Sequence, residues 1–153
     1  MSESAAKQLA GFLRRFDPSV AAVARAARAK LRRRIPGAVE LVYDNYNALV
    51  IGFGPTERAG DAVLSIALYP RWVNLFFLRG TSLSDPEGLL KGEGTRVRHV
   101  VLSDASVLDA PGVRRLVAQA VDASPVPIDG RRPRRLVIKS VSPRRRPRRP
   151  RAH

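Results

Sequence analysis

The stretch "AVLSIALYPRWVNLFFL", residues 62–78, holds two runs of branched and aromatic residues separated by Pro70-Arg71. In the first run Leu64, Ile66 and Leu68 point one way and Ser65, Ala67 and Tyr69 the other. In the second, Val73, Leu75 and Phe77 oppose Trp72, Asn74 and Phe76. Alternation at period two is the signature of a strand, and so short a connection makes the two strands antiparallel neighbours. One face is apolar enough to take helices, and the other mixes small, polar and aromatic side chains. That asymmetry belongs to an antiparallel sheet covered on one side.

Outward from this hairpin, "AVELVY" (38–43), "ALVIGF" (48–53) and "RVRHVVL" (96–102) are further short runs bounded by Gly, Pro, Asn or Asp. They make five strands, and "RLVIKSV" (135–141) reads as a late edge strand. Upstream, Leu9, Phe12, Leu13 and Phe16 form an apolar stripe at helical period. Asp17-Pro18 then opens a second helix over about 18–34, striped by Val20, Val23, Ala27 and Leu31 and ended by Pro36-Gly37. Downstream, Asp109 is placed to cap a helix with Pro111 in its first turn and Val113, Leu116, Val117 and Ala120 as its stripe. The expectation is an α+β two-layer sandwich, an antiparallel sheet of five or six strands with helices on one face. Its divisions are an amphipathic helix over 1–16, the α+β domain over 17–123, a linker over 124–134, the edge strand and a tail over 142–153.

The net charge of +15 is unevenly spread. Residues 1–34 carry nine basic and two acidic side chains, residues 35–130 eight and eleven, and residues 131–153 eleven and none. A near-neutral middle therefore sits between two basic flanks. There are no cysteines, which excludes disulfides, thiolate catalysis and cysteine-ligated metals. No run approaches the roughly 18 apolar residues of a membrane span, and the N-terminus lacks the order of a secretory signal. A cytoplasmic protein without a membrane partner is expected.

Catalytic signals are sparse. "GLLKGEGTRVRHV" (88–100) gathers three glycines, Lys91 and two arginines, but it lacks phosphate-loop spacing and leads into a strand instead of a helix. It reads as a turn-rich connection. His99 is the only histidine besides the last residue, so a metal site or acid–base pair built on it has no histidine or cysteine partner. No catalytic residue, cofactor or metal ligand is assigned, and a binding protein is expected over an enzyme.

Two surfaces suit binding. Tyr69, Trp72, Asn74 and Phe76 share the mixed sheet face, where exposed rings can dock a protein or stack bases. The alternative is that residues 135–141 or a second subunit cover them. The second surface is cationic: Arg25, Arg28, Lys30, Arg32, Arg33 and Arg34 on the second helix, and Arg144, Arg145, Arg146, Arg148, Arg149 and Arg151 in "SPRRRPRRPRAH" (142–153). The tail has no apolar payload to offset ordering entropy, so a disordered arm that tracks the phosphates of nucleic acid or another polyanion is expected.

Three stretches resemble the YdhG-like group of bacterial frataxin-like domains: "PGAVELV", "IALYPRWVNLFFLRG" and "LSDPEGLLKGEGTRVRHVVL", within about Asp17 to Ala123. The resemblance implies two helices on one face of an antiparallel sheet, and a function mostly unassigned within the group. It also implies an alternative role, iron delivery, which frataxin-type proteins associate with an acidic ridge on the first helix and the neighbouring strand. The corresponding helix here, 18–34, carries six cations and no acid, leaving Glu40, Asp44 and Asp61 as scattered candidates for a hard cation.

Overall fold

The computed structural model describes residues 3–150. In chain order its elements are α1 (Ala5–Arg14), α2 (Pro18–Arg34), β1 (Val39–Asp44), β2 (Leu49–Gly54), β3 (Leu64–Leu68), β4 (Val73–Phe77), β5 (Arg98–Leu102), α3 (Pro111–Asp122) and β6 (Arg135–Val141). Short 3₁₀ turns occupy Ala59–Asp61, Gly80–Ser82 and Ala105–Asp109.

The helix starts follow local chemistry, with two departures. Ser4 caps α1 by accepting from the Lys7 amide at 3.2 Å, and Pro18 and Pro111 open α2 and α3, where a missing N–H costs nothing. Asp17 occupies the capping position of α2 without making a capping hydrogen bond. At α3 the capping position falls on Ala110. Asp109, expected to cap it, is one residue too early and turns to α2 instead.

The six strands form one sheet in the order β5-β4-β3-β2-β1-β6. The first five pair antiparallel. β6 takes the open edge beside β1 and runs parallel to it, with a register shift between Val42 and Tyr43. The sheet is therefore mixed, where an antiparallel one was expected. The reason is the long return: residues 123–134 carry the chain back past the start of β1, so β6 enters that edge in the same direction.

Buried side chains of α1, α2 and α3 (Leu9, Leu13, Ala24, Leu31, Val113, Leu116) belong to one cluster with Val42, Ile51, Ile66, Leu75 and Val100 of the sheet. Those five face each other across neighbouring strands. Leu41 and Ala67, of the opposite parity, are buried yet lie outside that cluster. The sheet thus has a helix-bearing face and a second face. The β2–β3 loop folds against part of the second face, where the missing side chains of Gly52 and Gly54 leave room for Ala62.

Gly37 is where sequence and packing meet most tightly. It ends the α2–β1 connection at φ +82°, a conformation L side chains rarely adopt. A Cβ there would stand 2.0 Å from the Asp129 carbonyl oxygen in the return segment. Gly37→Ala is expected to destabilise the protein by about 2 kcal/mol or more, from strain plus displacement of that segment. Urea unfolding of the two proteins checks this.

Candidate functional site

The second flank and the tail do not project freely. Their positions depend on β1, whose alternation is unusual: Glu40, Val42 and Asp44 all share the helix-bearing face. Glu40 is registered against Phe53 and Asp44 against Leu49, both core residues. The carboxylates are 2% and 1% exposed. Burying a charge in such a place is costly unless it is paired and hydrogen-bonded. Both carboxylates meet two arginines.

Glu40 is held from α2. Arg28 donates to it through Nε at 2.5 Å and Nη2 at 3.1 Å, and Arg32, one turn along, brings its Nε to 3.3 Å. Lys30 and Arg34, on an adjoining stripe of α2, reach Asp109 instead, and Arg34 also donates to the Leu108 carbonyl. The hydrogen bond from Lys30, reinforced by Arg34, holds the Asp109 carboxyl below its ordinary 3.8. A depressed folded-state value means that the contribution of Asp109 is complete above about pH 4 and is lost as acid protonates it. Arg25 and Arg33 are exposed and form no ion pair among the described residues.

Asp44 is held from the chain's other end. Arg148 donates to it at 2.8 Å, and Arg145 makes a second ion pair. Arg148 also donates to the carbonyls of Asn45 and Tyr46, and its guanidinium lies 5.6 Å from the centre of the Phe16 ring. It is only 5% exposed. The backbone follows suit: Ser142 N–H donates to the Asp44 carbonyl at 2.8 Å and Arg146 N–H to that of Tyr46 at 2.9 Å. Arg149 donates to the carbonyls of Arg14 and Arg15 at the end of α1.

Residues 142–150 therefore form no helix or strand, as their composition requires, but they do not project as an arm. They strap the β1–β2 turn to the α1–α2 turn. The sequence reading counted only apolar payload. A buried carboxylate supplies the compensating interaction that hydrophobic burial does not. Arg151 lies outside the described residues.

The strap makes a concave cationic surface. Arg15, Arg145, Arg146, Arg148 and Arg149, with Pro143 and Pro147, line an open hollow of about 480 Å³. Arg144 is exposed, and Arg146 sits over the Tyr46 ring at 5.7 Å. The carboxylates facing this set are Asp44 and, 3.9 Å from Arg149, Asp17. Each end of β1 draws cations from both flanks: Arg134 donates to the Arg32 carbonyl at the Glu40 end, and Arg15 lines the strap hollow at the Asp44 end.

Of the residues expected to share the second face, Asn74 and Phe76 lie on it by register, and Tyr69 and Trp72 stand in the adjoining β3–β4 turn. Tyr69 and Trp72 stack at 5.3 Å and 26°, and Phe76 meets His99 of β5 at 5.5 Å and 52°. Trp72 is 47% exposed and Asn74 8%. The Asn74 Oδ1 and Tyr43 Oη are buried without hydrogen-bond partners, in one cross-strand row with Ala67 and Val50 between them. Burial raises the Tyr43 and Tyr69 phenols above their ordinary 10.0. β6 lies in the sheet plane at the far edge and does not cover these rings.

The glycine-rich loop serves the sheet. Lys91 and His99 exchange backbone hydrogen bonds of 2.8 and 2.9 Å, which adds a bridge to the outer edge of β5. The residues named for a hard cation do not fit one. Glu40 and Asp44 are each neutralised by two arginines, and Asp61 accepts from Thr56 at 2.7 Å. Among the described residues, no three His, Asp or Glu side chains gather as a metal site.

No family model, curated protein or solved structure matches this chain. Sequence reasoning named the cations but missed their anchors. The available signal was "VELVYD", where two acids at i and i+4 interrupt an otherwise apolar strand. Glu40→Gln, which leaves Arg28 and Arg32 facing a neutral amide, is expected to cost about 3 kcal/mol. Arg25→Ala is expected to stay within about 0.5 kcal/mol. Denaturant unfolding of both variants tests this division.

Proposed function

We propose that the protein is a small non-enzymatic cytoplasmic binding protein on a YdhG-like domain, contacting polyanions such as nucleic acid through its basic surfaces. The open sheet face serves as its second contact surface. The observation that carries this reading is the hollow lined by Arg15, Arg145, Arg146, Arg148 and Arg149. It gathers five arginines around one concavity, of which Arg15, Arg146 and Arg149 are exposed, and guanidinium is the side chain best matched to phosphate oxygens.

The cations divide by role. Arg28, Arg32, Arg145 and Arg148 neutralise buried carboxylates and belong to the fold. Arg144, Arg146 and Arg149, beside Arg15, remain for phosphate. Among the described residues no helix is long and apolar enough to cross a membrane. The iron-delivery alternative would need oxygen ligands that these arginines do not already hold.

Removing the whole tail would also strip Asp44 of its partners, so truncation confuses binding with folding. The cleaner variant is R144S/R146S/R149S, which leaves both Asp44 pairs intact. Duplex DNA titrated at several salt concentrations should bind the parent with a steep slope of log affinity against log salt. The triple variant should lower that slope by about 2 to 3, since each phosphate left without its arginine removes roughly 0.9. An unchanged slope would exclude the strap as the contact surface.

A further inference from the structure

Trp72 stands in the turn between β3 and β4 with one ring face against Tyr69 and nearly half its surface in solvent. Tryptophan is among the residues enriched where binding energy concentrates. Beside it is an open hollow of about 180 Å³ at the end of the sheet, between the first turns of α2 (Ser19, Val20, Val23) and the strand ends at Arg71, Trp72 and Val101. Val101 is itself an exposed apolar residue.

By register, none of the positions that β1 to β6 present to the second face is a carboxylate. The two acids of the strands, Glu40 and Asp44, are on the other face. Near the hollow stands an acid, Asp104, whose carboxylate accepts from the Ser106 hydroxyl and, at 2.7 Å, from its backbone N–H; these bonds hold its carboxyl below the ordinary value. On the same face, more than nine-tenths buried, Asn74 keeps an amide oxygen without a partner, an unpaired group of the kind that calls for an explanation.

We propose that this end of the sheet binds single-stranded nucleic acid, a base stacking on Trp72 and the adjoining phosphate meeting Arg71. The inference rests on the polyanion reading and deepens it, naming a ligand class and placing its bases on the sheet. A single strand is favoured over a duplex because an intact duplex keeps its base faces stacked on each other, whereas an unpaired base has a free π face for an aromatic platform. It is favoured over a protein because Arg71 stands beside Trp72 at the rim, next to a face to which the strands bring no carboxylate. That combination complements a phosphate backbone.

The chain has a single tryptophan, so its fluorescence reports this site alone. The full chain should be titrated with oligothymidylate and with inorganic polyphosphate, which carries charge but no bases. Oligothymidylate should quench the fluorescence, and polyphosphate should bind without quenching. Followed by anisotropy of a labelled oligothymidylate, Trp72→Ala should weaken binding about tenfold, as loss of one stacked base predicts. Its affinity for polyphosphate should be unchanged, and Trp72→Phe should retain most of the oligothymidylate affinity. Oligothymidylate bound without quenching, with equal affinity for Trp72→Ala, would overturn the sheet site and leave the polyanion reading standing. Quenching by oligothymidylate with no binding of polyphosphate would do the reverse. Binding of neither would remove both, and the aromatic face would then belong to a protein partner. Should Trp72→Ala fail to fold, the parent's quenching and the Trp72→Phe affinity decide the matter.

Discussion

Two carboxylates on the buried side of one strand govern the arrangement of this molecule. Glu40 and Asp44 sit where an aliphatic residue would ordinarily lie, facing the helices from β1. An unpaired charge there would cost several kcal/mol, so the fold closes only when cations reach both positions. The two basic flanks supply them: Arg28 and Arg32 from α2, Arg145 and Arg148 from the chain's last residues. β1 is accordingly tied to elements more than a hundred residues apart in sequence, with β6 and the strap closing over its edge.

This arrangement changes what the net charge means. A surplus of fifteen positive charges suggests a surface open to any polyanion, yet four of the arginines are held by the buried Glu40 and Asp44, and others pair at the surface. Lys30 and Arg34 hold Asp109 against α2, and Arg135 reaches Glu57. Among the cations outside those pairs are Arg15 and Arg146 in the strap concavity and Arg71 beside Trp72. Exposed pairs such as Arg115 with Glu87 contribute little to stability. The buried ones decide which segments stay together.

The architecture was largely legible from period and punctuation. The alternation across residues 62–78 located the central hairpin, and the stripes beginning at Leu9, Val20 and Val113 located the helices, because burial on one face imposes those periods. The direction of β6 was not legible, since a sequence run carries no sign of whether it pairs parallel or antiparallel. Asp109 misled for a related reason: its position relative to Pro111 suits a cap, but the partners that claim it, Lys30 and Arg34, are distant in sequence. The tail misled most. Arginine and proline without apolar residues imply solvation when the segment is considered alone, and only the register of β1 reveals the buried acid that Arg148 satisfies. The aromatic face fared better, because Asn74 and Phe76 follow from alternation directly. The adjoining contributions of His99 and Val101 depend on β5 pairing.

Arg148 and Asp44 should behave as one interdependent unit, since each is buried against the other. A double-mutant cycle in urea, with Asp44→Asn and Arg148→Met made singly and together, measures this directly. Each single change should destabilise the protein by about 3 kcal/mol or more, while the double variant should cost less than their sum by about 2 kcal/mol. Additivity within about 0.5 kcal/mol, or a negligible effect of Arg148→Met, would contradict the account and return residues 142–150 to the solvent.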